Sequence, residues 1–273
     1  MQNVQLAFKV SLHNSKLEQA KEVVGSTDWF NCNQDELLDE LSKSPAKETS
    51  FADDLEFAVR GPTKMGCRDG AQDAINTAVR WANRTGLEFS PSKTHVMFLT
   101  KRRDKGNKKA KPTGPLFLYG QELKYVDTVD HLGIRIDSRL SWNSHLDNKI
   151  MKTKRCMLMC RNVLSKMYEP KPLYMRWLYT SVIRPQLTYG CYVWAQATKT
   201  AKNREKLEKF ERMGLKMVAF IRHSTPTDAL RIMYNITPLH LFIRETAMKT
   251  YFRVKKYNWL PRNPDMIGHD VNL

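Results

Sequence analysis

The hydrophobic pattern of this 273-residue sequence changes near residue 141. Before that point, short apolar stretches alternate with turn residues, and one stretch of helical spacing, 70–85, ends at Gly86. After it, apolar residues recur at helical spacing, and prolines lie near the ends of the segments. We predict helices at about 143–168, 171–184, 203–222, 226–235 and 239–256. This order predicts an α+β fold, in which strands with one helix are followed by an all-α region.

The N-terminal 48 residues are polar and only weakly periodic. Leu37, Leu38 and Leu41 line one side of a short predicted helix. From residue 47 to 59 the pattern becomes strand-like. Three segments are therefore expected: 1–45, 46–140 and 141–273.

Charge is distributed unevenly along the chain. Its 45 Lys and Arg outnumber 28 Asp and Glu, which gives a net charge of +17. Residues 1–100 carry 11 basic and 14 acidic side chains, whereas residues 101–273 carry 34 basic and 14 acidic ones. Such a basic C-terminal portion favours a polyanionic partner, above all nucleic acid, over a merely soluble basic surface.

The segment KRRDKGNKKAK, residues 101–111, concentrates these cations. We interpret it as an exposed basic loop whose side chains contact phosphates and add affinity without sequence preference. A nuclear localisation signal is the main alternative. The candidate nucleic-acid-binding residues are Lys101, Arg102, Arg103, Lys105, Lys108, Lys109 and Lys111.

Aromatic residues recur among the cations further along the chain. Because they lie among Leu, Ile and Val on predicted helices, we expect most of them to be core residues. They are Tyr168, Tyr174, Trp177, Tyr179, Tyr189, Tyr192, Trp194 and Tyr251.

The composition disfavours several classes of protein. No apolar run approaches the roughly 18 residues of a membrane span. The start, MQNVQLAFKVSLHNS, lacks the apolar stretch of a signal peptide. The five cysteines form no CxxC pair and no cluster with zinc spacing. We expect an intracellular protein of the nucleus or cytoplasm, neither secreted nor bound to a membrane.

Two adjacent carboxylates stand out in TSFADDLEFAVRG, residues 49–61. Asp53 and Asp54 repel each other, and Asp is depleted in strands, so the pair is costly to folding at a strand–turn junction. A divalent cation offsets this repulsion, and Mg²⁺ is commonly held by one or two carboxylates together with substrate phosphates. On the dipeptide alone, an ordinary Asp-rich turn is the alternative.

The segment SFADDL resembles the F/Y-A-D-D motif of reverse transcriptases, and four later segments resemble the same family in order. GLEFSPSKTHVMFL (86–99) resembles the next palm motif, and DHLGIRIDSRLSWNSHL (130–146) resembles the primer-grip strand and the helix start after it. TSVIRPQLTYGCYVW (180–194) and ITPLHLFIRETA (236–247) resemble the helical region that follows the polymerase core. Over residues 46–258, the chain resembles the reverse transcriptase, an RNA-directed DNA polymerase, of a jockey-like non-LTR retrotransposon.

The resemblance implies a partial polymerase palm at 46–140, an antiparallel sheet with a packed helix. It also implies an all-α, thumb-like region at 141–273 and a divergent remnant at 1–45. It implies template-directed DNA synthesis with two Mg²⁺ ions, an RNA template and a DNA primer or target as partners. Asp53 matches the main metal ligand and Asp54 its weaker neighbour. Phe51 matches the residue that supports them, and Lys93 matches a lysine that assists the triphosphate or acts as a general acid.

The sequence also departs from the family pattern. The family has a further Asp on an earlier strand and a PQG loop, and neither has a counterpart here. Glu48 and Glu56 stand where the family tends to be apolar. We therefore expect a C-terminal fragment that is inactive alone and self-associates through an exposed palm edge. The alternatives are a non-catalytic nucleic-acid-binding protein and a polymerase completed by another exon or chain.

Overall fold

The computed structural model forms two compact units, Met1–Leu140 and Ser141–Leu273. It describes residues 4–13, 37, 39–41, 46–51, 54–99, 103–104, 108–109, 114–165, 171–219 and 224–257. Within these ranges no helix has both the length and the apolar character needed to cross a membrane. The architecture combines helices with small antiparallel sheets, in agreement with the predicted α+β class.

Unit 1 is built on a five-stranded antiparallel sheet. Its strands run in the order β2-β3-β1-β4, and β5 also pairs with β1. β3 therefore has a neighbouring strand on each side, whereas β2 is the first strand of this order and pairs only with β3. The predicted self-association through an exposed sheet edge would thus use β2. The strands are β1 (Val4–His13), β2 (Ala46–Phe51), β3 (Asp54–Gly61), β4 (Glu88–Phe89) and β5 (His95–Leu99).

Strand β1 was not predicted from the sequence, because the first 48 residues are polar on average. Its apolar residues nevertheless alternate strictly, which is the period of a strand. They are Val4, Leu6, Phe8, Val10 and Leu12. The register pairs Ser11 with Asp54 of β3 and Gln5 with Leu99 of β5. One sheet thus joins the beginning of the sequence to strands between residues 46 and 99.

Helix α1 (Lys64–Thr85) packs on this sheet. The Thr63 hydroxyl caps it by accepting a hydrogen bond of 3.0 Å from the Gly66 amide, and Gly86 ends it in the left-handed conformation at φ 71°. The predicted helix and its glycine stop are confirmed. The face toward the sheet is rich in alanine, which lets the helix lie close to the buried side chains of β3. Leu37 and Leu41 belong to the same core.

Three small hairpins complete the described part of unit 1. Tyr119 and Gly120 connect the second with φ of 50° and 75°, and Leu132 and Gly133 connect the third with φ of 45° and 78°. Two consecutive positive φ values are the signature of a type I′ hairpin turn, which is the connection in both hairpins. The hairpins are β6 (Arg103–Asp104) with β7 (Lys108–Lys109), β8 (Phe117–Leu118) with β9 (Gln121–Glu122), and β10 (Thr128–His131) with β11 (Ile134–Asp137).

In its described residues, unit 2 consists of helices joined by short turns. The last helix spans residues 239–256 as predicted, whereas the helix predicted at 171–184 is longer and contains a π turn at Tyr179–Ile183. A 3₁₀ turn covers Ala195–Lys199. The α-helices are α2 (Asn143–Ser165), α3 (Pro172–Leu178), α4 (Arg184–Thr188), α5 (Cys191–Trp194), α6 (Ala201–Ala219), α7 (Thr227–Met233) and α8 (Leu239–Lys256).

A buried arginine joins α4 to the start of α8. Arg184 donates a hydrogen bond of 2.7 Å to the Thr237 carbonyl oxygen. Its guanidinium carbon lies 3.9 Å from the centre of the Phe242 ring and 5.9 Å from that of Tyr179. Burial lowers the pKa of Arg184 and raises that of the Tyr179 hydroxyl. The two helical segments that resemble retrotransposon proteins, 180–194 and 236–247, therefore meet at this residue.

A second buried charge lies on α6. Glu211 is 0% exposed and accepts hydrogen bonds from Arg231 of α7, which also donates one of 2.6 Å to Asp228. A carboxylate so deeply buried requires this partner, because an unpaired charge is costly in the core. The pair thus fixes α7 against α6.

Candidate catalytic hairpin and nucleic-acid interface

The hairpin β2–β3 contains the FADD motif. Phe51, the last residue of β2, pairs with Asp54, the first residue of β3, so the connection between them has two residues, Ala52 and Asp53. These two lie outside the described residues, as does the side chain of Asp54. The register places Asp54 at the end of the sheet, between Phe51 on one side and Ser11 of β1 on the other.

The two faces of β3 differ in their surroundings. Leu55, Phe57 and Val59 are buried in the core against α1. Because side chains alternate along a strand, Asp54 and Glu56 belong to the opposite face.

The hairpin β10–β11 reaches this opposite face of the sheet. His131 of β10 contacts the Glu56 carboxylate through its Nδ1 atom, and both side chains are partly buried. Across the hairpin, Arg135 donates two hydrogen bonds of 2.8 Å to the Asp130 carboxylate. The segment that resembles a primer grip is therefore attached to β3 two residues beyond Asp54. The contact between His131 and Glu56 was not predicted from the sequence. Glu56 lies in the apolar run LEFAV, and a glutamate at such a position needs a polar partner.

Lys93 lies in the turn before β5 and is exposed. The turn is closed by a 2.7 Å hydrogen bond from the buried Thr94 hydroxyl to the Ser90 carbonyl oxygen. His95 pairs with Lys9 of β1, which in turn pairs with Glu56 of β3. Lys93 precedes His95 by two residues as Asp54 precedes Glu56, so both lie toward the same end of the sheet. Two strand spacings of about 4.8 Å separate their strands.

The basic segment 101–111 was expected to be a loop, but part of it forms strands. Arg103 and Asp104 form a short antiparallel ribbon with Lys108 and Lys109, in which Arg103 opposes Lys109 and Asp104 opposes Lys108. The three residues between the two strands are KGN, and Gly and Asn are residue types that favour tight turns. The other candidate residues, Lys101, Arg102, Lys105 and Lys111, lie outside the described residues, as do the side chains of the ribbon.

Unit 2 carries many cations on its surface. Residues 141–273 contain 24 Lys and Arg against 9 Asp and Glu. Some are paired with acids, as in Lys209 with Glu205 and Lys249 with Glu245, both at 2.6 Å. The exposed ones on the long helices are Lys152, Lys154, Arg155, Arg161, Lys202, Arg204, Lys209, Arg244, Lys249, Arg253, Lys255 and Lys256.

The aromatic residues of unit 2 divide into two groups. Tyr179 and Trp194 are fully buried, as expected for core residues. Tyr174, Trp177 and Tyr189 are instead more than half exposed, and Tyr192 and Tyr251 are intermediate. The expectation that most of these rings lie in the core is therefore wrong for the described residues, and Tyr168 lies outside them. Neighbouring Leu, Ile and Val residues did not indicate burial of these rings, because one helix carries buried side chains on one face and exposed rings on another.

Tyr189 shows how a ring and a cation combine at the surface. The Nζ atom of Lys149 lies 4.6 Å from the centre of its ring. Partial burial and the nearby Lys152 lower the pKa of Lys149. This arrangement places a cation over a ring that is 54% exposed.

Comparison with known proteins gives relatives from insect retrotransposons. The retrovirus-related Pol polyprotein from type-1 retrotransposable element R1 3 of Nasonia vitripennis is 24% identical over 209 residues, 74% of this chain and 54% of the relative. The putative 115 kDa protein in type-1 retrotransposable element R1DM of Drosophila melanogaster is 23% identical over 223 residues, 82% of this chain and 21% of the relative. The chain resembles the reverse transcriptases of non-LTR retrotransposons.

A third relative names the polymerase itself. The probable RNA-directed DNA polymerase from transposon BS of Drosophila melanogaster is 26% identical over 156 residues, 57% of this chain and 17% of the relative. No protein-family model matches the sequence. The chain spans about half the length of the R1 Pol polyprotein and a smaller share of the other two relatives. The resemblance expected from the five motifs is thereby confirmed.

Proposed function

We propose that this chain forms part of a retrotransposon reverse transcriptase, with unit 1 as part of the polymerase palm and unit 2 as the thumb-like region. The observation that carries the proposal is the FADD hairpin, placed at the end of an antiparallel sheet backed by a helix. The similarity to retrotransposon Pol proteins over 74% of the chain supports it. Template-directed DNA synthesis is the activity that such a part serves, with an RNA template and a DNA primer or target as partners.

The metal-binding residues in this proposal are Asp53 and Asp54. Their carboxylates would supply hard oxygen ligands of the type Mg²⁺ prefers, and Asp54, directly after Asp53 in the sequence, is the first residue of β3. Mg²⁺ held by Asp53 and Asp54 would supply positive charge next to the primer 3′-hydroxyl and the leaving pyrophosphate. Lys93, at the same end of the sheet, contributes a positive charge toward the triphosphate.

The fit to a two-metal site is partial in this polypeptide. β3 lies between β2 and β1. The residue of β1 that pairs with Asp54 is Ser11, which adds no carboxylate. We therefore propose that the 273 residues alone do not extend a primer.

Primer extension tests this proposal. The purified chain is given an annealed template and primer, all four deoxynucleotides and either Mg²⁺ or Mn²⁺, with an active reverse transcriptase as the positive control. No extension is expected. Extension that is lost in Asp53→Ala and kept in Asp73→Ala, a change on helix α1, would show that the chain is active and that Asp53 is needed. Extension by both variants would indicate a contaminating polymerase.

The second candidate function is nucleic-acid binding without catalysis. The observation that favours it is the excess of cations in residues 141–273, many of them exposed on α2, α6 and α8. Phosphate contacts by such cations release counterions, so affinity falls steeply as salt rises. Fluorescence anisotropy with labelled oligonucleotides between about 50 and 200 mM salt measures this dependence. Absence of binding at the low end would refute this function.

A further inference from the structure

We infer that Tyr174 and Trp177 of helix α3 form a stacking surface for the bases of single-stranded nucleic acid. This inference rests on the proposal that unit 2 binds nucleic acid, and it names how the strand is held. The two rings are 62% and 61% exposed. By contrast, Trp81, Trp142 and Trp194 are buried. Large rings so open to solvent mark an interaction surface when they occur together.

The two rings lie on one face of a firmly anchored helix. Residues three apart on a helix are neighbours, with Cβ atoms about 5–6 Å apart. Between them in the sequence, Met175 is buried on the opposite face, and Arg176 donates a hydrogen bond of 2.6 Å to the Tyr234 carbonyl oxygen. The helix is therefore held from behind while the rings face outward. Such a surface is rigid before a ligand arrives, which lowers the entropy cost of binding.

The charge around the rings selects the occupant. The exposed Lys171 precedes Tyr174 by three positions, and helix α3 contains no acid. Unit 2 as a whole, residues 141–273, carries 24 basic against 9 acidic side chains. Aromatic rings beside cations are the usual means of holding single strands, because every base offers a face for stacking. In a duplex the bases already stack on each other, so the rings favour unpaired bases.

The experiment compares four variants of the full chain by fluorescence anisotropy with a labelled single-stranded oligonucleotide and the matching duplex. Trp177→Ala and Tyr174→Ala remove the rings, and Trp177→Phe keeps one. Ile232→Ala is the control, since Ile232 is an 81% exposed apolar residue on α7 that has no ring. Each loss of a ring is expected to weaken single-strand binding at least about fivefold and duplex binding less. Trp177→Phe should retain most of the affinity.

The salt dependence separates stacking from phosphate contact. Since neither ring carries a charge, both alanine variants should keep the wild-type slope of log affinity against log salt. Unchanged single-strand affinity in both variants would overturn the inference while leaving nucleic-acid binding by unit 2 intact. No binding by the wild-type chain would overturn both. Loss of self-association in Trp177→Ala but not in Ile232→Ala, with oligonucleotide affinity unchanged, would assign the surface to a second copy of the chain and also overturn the inference.

Discussion

Arg184 stacks on Phe242, with its guanidinium carbon 3.9 Å from the ring centre, and this contact joins two segments more than 50 residues apart. Both segments belong to the part of the sequence that resembles retrotransposon proteins. The contact, together with the hydrogen bond to the Thr237 carbonyl oxygen, gives a structural reason for their occurrence together. Both segments therefore have a role in the packing of unit 2 that does not depend on contact with a substrate.

Arg184→Met should destabilise unit 2 by about 2–3 kcal/mol, because it removes the cation over the ring and leaves the Thr237 carbonyl oxygen without this donor. Urea unfolding followed by circular dichroism measures the change. Arg244→Met, at an exposed position on α8, should shift the free energy of unfolding by no more than about 0.5 kcal/mol. Equal effects of the two substitutions would contradict the role given to Arg184.

Glu211→Gln should cost about 1.5–3 kcal/mol, because it replaces the charge-assisted hydrogen bonds from Arg231 by neutral ones, while Asp228 stays paired with Arg231. The same urea experiment measures it. Glu205→Gln is the matched control, since the Glu205–Lys209 pair is exposed and should contribute less than about 1 kcal/mol. A loss for Glu211→Gln as small as that for the control would show that the buried pair does not hold α7 in place.

Replacing five cations of the basic segment by Ala should lower the salt dependence of nucleic-acid binding. Each lost phosphate contact reduces the slope of log affinity against log salt by roughly 0.7–0.9. Helical content, measured by circular dichroism, should stay unchanged. The five are Lys101, Arg102, Arg103, Lys108 and Lys109.

The control for this experiment is Asp53→Ala, which should not weaken binding, because it removes a negative charge near a polyanion when no metal bridges the two. An unchanged slope in the five-residue variant would remove the segment from the interface. It would then favour the reading as a nuclear localisation signal.

Cys191 should resist alkylation in the native protein. Burial raises the pKa of its thiol to about 11, and only the thiolate reacts, so at pH 8 about one molecule in a thousand is reactive. Raising the pH toward 11 should increase its rate about tenfold per unit. Iodoacetamide labelling read by mass spectrometry, with the partly exposed Cys156 as internal reference, measures both rates. Labelling of Cys191 as fast as Cys156 at pH 8 would mean that α5 is not packed as described.

Local patterns were sufficient where each signal lay within one element. The prolines and the apolar spacing predicted α8 to the residue, and Gly86 correctly marked the end of α1. The same reasoning predicted that the FADD motif lies at a strand–turn junction. In each case the decisive residues are close in sequence, so propensity and period act directly.

Long-range contacts could not be predicted in this way. The Glu56–His131 contact depends on how a later hairpin lies against the sheet, and nothing near Glu56 in the sequence specifies its partner. The exposure of Trp177 likewise depends on which face of α3 the other helices cover. The π turn at Tyr179–Ile183 changes the helical phase by part of a turn, so regular spacing counted across it assigns residues to the wrong face.

The position of β1 in the sheet has a consequence for synthesis on the ribosome. Gln5 pairs with Leu99, so one edge of β1 waits for more than 90 residues of further chain before its partner exists. At about 5–20 residues per second, this edge of β1 stays without its partner strand for roughly 5 to 20 seconds. The helices of unit 2, whose hydrogen bonds are local, have no such delay. The nascent chain is therefore most open to aggregation before β5 has paired with β1.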